Sequence, residues 1–173
     1  MYLLLVLVLV GILGPRELLA GDNVILSPEF EKRVTTTLLE QEPQWQVKHS
    51  ATRINGLVQR WVRREVEAAV DAKSDTAHGP APEVLVQVGD HGSPEAAAEQ
   101  LRTSVRMSSV RPVRSKEAVG DEAFVWDSYG PRGESGIRIR KGSVLIYVNG
   151  PTLDLTMRFA KRYLKDVESQ LAR

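Results

Sequence analysis

Hydrophobic and polar positions divide the chain into an apolar leader and a longer stretch of short amphipathic segments. Residues Tyr2 to Leu13 are apolar throughout apart from Gly11, and Gly14-Pro15 and Arg16 follow. That run is shorter than the roughly 20 residues a helix needs to cross a bilayer. It matches the apolar region of an export signal, with Gly-Pro ending the helix before the processing region. Ala20 before Gly21 suits a signal peptidase, although no Lys or Arg precedes the run and Leu18 is bulkier than the usual small residue. An uncleaved anchor and a buried core segment are the alternatives. Residues 1–20 are therefore expected to be a signal peptide or anchor, and residues 21–173 a single domain.

Beyond Gly21 the periods are local. Ser27-Pro28-Glu29 opens a helix with a capping hydroxyl, a proline suited to the first turn and an acid at the positive end of the dipole. Phe30, Val34, Leu38 and Leu39 keep helical spacing up to Pro43. Trp45 and Val47 mark a short strand. Across 54–72, Val58, Val62, Val66 and Val70 fit one face of a strand and nearly one face of a helix, so periodicity leaves both open. The strand reading makes a hairpin with Val84-Leu85-Val86-Gln87-Val88. Ser93-Pro94-Glu95 repeats the helix start, with Ala97, Ala98, Leu101 and Val105 inward until Arg111-Pro112. Ala123–Trp126, Gly136–Arg140 and Val144–Val148 read as strands, the last two joined by a Lys141-Gly142 turn that needs a positive φ. Thr152 caps a closing helix with Met157, Ala160, Leu164, Val167 and Leu171 inward. The expected fold class is α+β: an antiparallel sheet of about four to five strands with helices packed on one face.

The run Val119-Gly120-Asp121-Glu122-Ala123-Phe124-Val125-Trp126, followed by Ile137–Val144 with Arg140-Lys141-Gly142 and by Phe159-Ala160, resembles a group of uncharacterised bacterial secreted proteins and lipoproteins. Their plan, shared with extracytoplasmic sensor-like domains, is a helix, a G-D-E-A strand, a basic hairpin and a closing helix. The resemblance covers roughly Val84 to Leu171 and implies a fold and a compartment. It brings no catalytic residue. This chain has no cysteine, so the lipid anchor and disulfides common in that group are missing.

Composition narrows the functions. A net charge of +1 argues against nucleic acid as the main partner, since phosphate binding demands a basic excess. Only 6% of residues are aromatic, too few for a broad stacking platform. The absence of cysteine excludes thiolate nucleophiles and thiolate metal ligands. His49, His78 and His91 lie in separate segments, so no metal or other cofactor is expected; Asp90-His91 reads as a solvated loop pair. Gly133-Glu134-Ser135-Gly136 lacks nucleophile-elbow spacing, and the carboxylates of Asp121-Glu122 diverge on a strand.

Two candidate binding features remain. Gly92 and Ser93 precede a helix and could seat an anion on free N–H groups. Arg138 and Arg140 share one strand face beside Lys141, with Arg158, Lys161, Arg162 and Lys165 on the closing helix. A solvated face is the plain reading of this set, and an anion-binding face the functional one. The expectation is an exported, non-enzymatic binding or interaction domain, secreted or held in the cell envelope. Its partner is a protein, lipid or envelope ligand, with membrane contact through the N-terminal segment. The alternatives are a small extracytoplasmic enzyme whose site forms no motif, and a membrane-tethered assembly factor.

Overall fold

Ser27 Oγ accepts the Phe30 N–H at 3.2 Å and starts helix α1 (Pro28–Gln41), which buries Phe30, Val34 and Leu38 at four-residue intervals. In the computed structural model, which describes residues 27–53, 55–64, 83–129 and 134–172, this helix leads into strands β1 (Trp45–Arg53), β2 (Gly56–Arg63) and β3 (Glu83–Asp90). Helix α2 (Pro94–Arg106) follows, capped by Ser93, whose Oγ accepts the Ala96 N–H at 3.1 Å. Strands β4 (Val113–Arg114), β5 (Glu122–Tyr129), β6 (Glu134–Lys141) and β7 (Val144–Gly150) then precede helix α3 (Leu153–Leu171), capped by Thr152. The strands form one antiparallel sheet in the order β1-β2-β3-β7-β6-β5-β4.

The α+β class holds, and the finer expectation needs two corrections. The sheet has seven strands rather than four to five. β1 runs for nine residues through Lys48, His49 and Ser50, a polar stretch that hid it. β4 has only two residues, too few to show a period. In the ambiguous region, Gly56–Arg63 is a strand paired antiparallel with β3, while Val66 and Val70 lie outside the described residues.

The second correction concerns the layers, because helices cover both faces of the sheet. β3 lies inside the sheet next to the central β7, and β4 at an edge, so the chain must cross the sheet between them, and it does so as α2. Ala97 and Leu101 of α2 bury Leu145 of β7, with Val105, Phe124 and Tyr147 beside them. α1 and α3 take the opposite face, where Phe30, Leu38, Phe159, Tyr163 and Val167 pack on Val84, Val86, Ile137, Ile139, Ile146 and Val148. Leu171, expected inward, is exposed at the end of the helix, beside the Gly142 turn.

Within the larger core lies a polar network. Trp61 Nε1 donates to Tyr163 Oη at 3.1 Å, and that hydroxyl donates to Gln59 Oε1. Gln59 Nε2 donates to Thr35 Oγ1 at 2.9 Å and Ser50 Oγ at 3.1 Å. One fully buried glutamine thereby joins α1, β1, β2 and α3. Burial pushes the Tyr163 hydroxyl far above its ordinary value of 10.0, so it stays neutral and keeps donating.

Tyr163→Phe removes this donor and acceptor together and leaves Gln59 Oε1 and Trp61 Nε1 unpartnered. The expected loss is about 2–4 kcal/mol in chemical denaturation near pH 7, from one to two unmet buried groups. The raised pKa sets the sign of the pH dependence: stability tied to Tyr163 is fully present below its unfolded value and falls as pH climbs past about 10. The gap between wild type and variant should therefore shrink in alkali. A gap that is absent at neutral pH, or that widens in alkali, contradicts the network.

Candidate functional site

Strand alternation places Arg138 and Arg140 on one face of β6, as expected, but that face is not an open row of cations. Both side chains are half-buried, and each is turned to a different use.

Arg140 and Lys141 belong to a clasp around the β6–β7 turn. Gly142 adopts φ +57° there, the left-handed conformation that a two-residue hairpin asks of glycine. Asp121 Oδ2 accepts from the Gly142 N–H at 2.8 Å and from Arg140 Nη1 at 3.1 Å, and the Asp121 N–H donates to the Arg140 carbonyl at 2.8 Å. Lys141 Nζ lies 3.5 Å from Asp121 Oδ1 and 3.2 Å from Glu168 Oε1. Burial acts to raise the Asp121 carboxyl, but the Gly142 N–H with Lys141 and Arg140 outweighs it and holds the group below the usual 3.8. The hydrogen bond to Glu168 raises Lys141. The G-D-E-A and R-K-G residues thus fasten two strands and a helix together, and their charges are spent on one another.

The turn before α2 is also occupied from within. Asp90 Oδ1 accepts the Gly92 N–H at 2.9 Å, and Ser93 caps the helix. An incoming anion at Gly92 and Ser93 would meet the Asp90 carboxylate already there.

Arg138 has a different setting. Its Nη1 donates to the Ser104 carbonyl at 2.6 Å, and Nη2 lies 3.5 Å from Ser108 Oγ. Ser104 sits in the last turn of α2, where carbonyls lack helical partners and a cation meets the negative end of the dipole. Arg138 therefore caps α2. Its guanidinium carbon also lies 5.1 Å from the ring centre of Trp126 and 5.8 Å from that of Tyr147. Trp126 can lie across β6 because its cross-strand partner is Gly136. A Cβ at Gly136 would fall 1.9 Å from Trp126 Cζ2, so only glycine admits the ring. Among the described residues no carboxylate pairs with Arg138. Burial pulls its pKa below the ordinary value, with Tyr147 acting the other way.

α2 covers only part of its face of the sheet. Beside it a groove of about 300 Å³ is lined by Leu85, Gln87, Asn149, Tyr147, Arg138 and Trp126 from the sheet and by Gln100 and Ser104 from the helix. Among the described residues Arg138 is the only charged group in that lining. The carboxamides of Gln87, Gln100 and Asn149 have no hydrogen-bond partner among the described residues, and the shielded Tyr147 hydroxyl has none either. Sequence reading found Arg138 but not its companions, which come from β3, β5, β7 and α2 and share no motif.

The basic stripe of α3 borders a second groove, of about 320 Å³, against the end of α1. Its cations are mostly neutralised. Arg158 lies 3.2 Å from Glu42, Lys161 2.6 Å from Glu117 and Arg162 3.0 Å from Asp166. Only Lys165 lacks a partner among the described residues. Among those residues no cluster of His, Asp and Glu could hold a metal; His49 and His91 stand apart on β1 and before α2, and His78 lies outside the described residues. No described helix is long and apolar enough to cross a membrane.

Comparison with protein-family profiles, with curated proteins and with solved structures finds no match for this chain.

The clasp yields a test. Asp121→Asn keeps the shape but gives up the charge and one of the acceptors, and should cost about 1 kcal/mol at pH 7. A lowered folded-state pKa means stability present above the unfolded value and lost as pH falls through the folded one. The wild type should lose stability below about pH 4 more steeply than the variant, and denaturation curves from pH 2 to 7 decide it. Parallel curves would mean that Asp121 is merely solvated.

Proposed function

We propose that this chain is an exported, non-enzymatic binding domain that takes its ligand in the groove between α2 and the uncovered part of the sheet. One observation carries the reading: among the described residues Arg138 is a half-buried cation with no acidic partner, fixed between two aromatic rings at the side of a groove whose carboxamides and Tyr147 hydroxyl have no hydrogen-bond partner there. Folded proteins pair their buried polar groups and compensate their buried charges. Here, among the described residues, the Arg138 charge has no acidic counterpart, and neither the half-buried Asn149 carboxamide nor the shielded Tyr147 hydroxyl has a hydrogen-bond partner. The exposed carboxamides of Gln87 and Gln100 lie beside them, and these groups are available to a polar ligand. The helix dipole offsets only about half a charge, so Arg138 still presents positive potential to the groove.

The compartment rests on the apolar run from Tyr2 to Leu13 and the Ala20-Gly21 junction, and on the resemblance to secreted and sensor-like proteins. In this reading the signal is removed and the domain works in the cell envelope or outside it. The clasp accounts for the residues that carry that resemblance, Gly120-Asp121 and Arg140-Lys141-Gly142, as structure in this chain, so they do not argue for a site there. The α3 stripe is a weaker candidate, because acids already neutralise most of its cations.

Two measurements test the proposal. Sequencing the N-terminus of protein from an expressing bacterium should find it beginning at or near Gly21; intact Met1 in a soluble cytosolic fraction refutes export. In amide-detected NMR, a set of small polar compounds, charged and neutral, should shift signals of Gln87, Gln100, Trp126, Tyr147 and Asn149. Shifts that gather on Lys161 and Lys165, or spread evenly over the surface, refute the groove.

A further inference from the structure

The groove's chemistry also points to what enters it. We infer that its ligand is a small monocarboxylate with a neutral polar body, of the kind represented by a uronic acid or an N-acylated amino acid, bound through the guanidinium of Arg138. This inference rests on the groove being the binding site and goes on to specify the ligand class.

The charge count comes first. Among the described residues Arg138 is the one charged residue lining the groove, so a single negative charge is matched there and further ones are not. A phosphate dianion or polyanion would enter with charge left over in a partly desolvated space, whereas phosphate sites generally gather several cations or backbone N–H groups.

Geometry agrees. A guanidinium carries five N–H donors in a planar fork that matches a carboxylate. Two of the Arg138 donors are turned to Ser104 and Ser108, and the others have no partner among the described residues. The contact to Ser104 at 2.6 Å and the flanking rings hold the fork before a ligand arrives, which lowers the entropy lost on binding.

The remaining lining sets the body of the ligand. Carboxamides both donate and accept, so Gln87, Gln100 and Asn149 favour hydroxyl or amide groups over hydrocarbon. At about 300 Å³, the space lies at the small end of ligand sites, which suits a compound of one ring or one short acyl chain.

Matched pairs test this on the processed wild-type protein by NMR titration. Glucuronate is compared with glucose, N-acetylalanine with N-acetylalaninamide, and inorganic phosphate serves as the competing anion. Each carboxylate should bind about tenfold or more tightly than its neutral counterpart, the increment for a charge-assisted hydrogen bond, with shifts centred on Trp126, Arg138 and Asn149. Arg138→Gln should erase that preference. Because Arg138 also caps α2, Arg138→Lys provides a second variant that keeps the charge without the fork, and it should retain a reduced preference. Equal binding of both members of a pair in the groove overturns the carboxylate assignment while leaving the groove as the site, and so does tighter binding of phosphate. No groove shift with any compound overturns both.

Discussion

Strand β7 is buried on both sides. Val144, Ile146 and Val148 face the α1–α3 layer, and Leu145 faces α2, each side chain worth about 1.5–3 kcal/mol when withdrawn from water. A strand apolar on both faces cannot belong to a two-layer domain, so a helix must lie on each side of it. The connection from β3, inside the sheet, to β4 at the edge supplies the helix for the second face. α2 spans 13 residues, about 20 Å at 1.5 Å per residue, and leaves part of that face bare. The groove is a consequence of this shortfall, and Arg138 is the residue that ties the end of the short helix to the sheet.

The two faces are held by different physics. The α1–α3 layer is a broad apolar core with the Gln59–Tyr163–Trp61 network inside it. The network costs nothing while every member is satisfied, and it fixes how the helices sit on β1 and β2. Among the described residues the α2 layer fully buries only Ala97, Leu101 and Leu145, and it relies on Arg138 at its end. A small, polar, weakly packed layer beside a firm core is where ligand binding is least costly to the fold.

Much of this was legible in the residues. Both Ser-Pro-Glu starts and the Thr152 cap gave the helix beginnings, because capping chemistry is local. The Lys141-Gly142 turn and the strands around it were equally plain. What failed was the reading of Arg138 and Arg140 as a solvated face. Their alternation with Ile137 and Ile139 was read correctly, but alternation on one strand does not say what lies above it. The missing signal was next door: Val144-Leu145-Ile146-Tyr147-Val148 is apolar at every position, the mark of a strand covered on both sides. The groove itself could not be found that way, since Leu85, Gln100, Trp126 and Asn149 meet only through the sheet order. The clasp shows the opposite case, a run of residues visible in the sequence whose spacing is explained by one turn and one carboxylate.

The groove is preorganised only if Arg138 is held rather than waving in solvent, and its guanidinium resonances report this directly. In nitrogen-labelled protein near pH 6, fixation by the Ser104 carbonyl should give the Arg138 side-chain N–H groups slow exchange with water and hindered rotation. The rings of Trp126 and Tyr147, at 5.1 and 5.8 Å, should move their shifts away from those of the exposed arginines Arg102 and Arg111, and Trp126→Leu should cancel the larger part of that displacement. A single averaged resonance, coincident with those of the exposed arginines and unmoved by Trp126→Leu, would contradict the account.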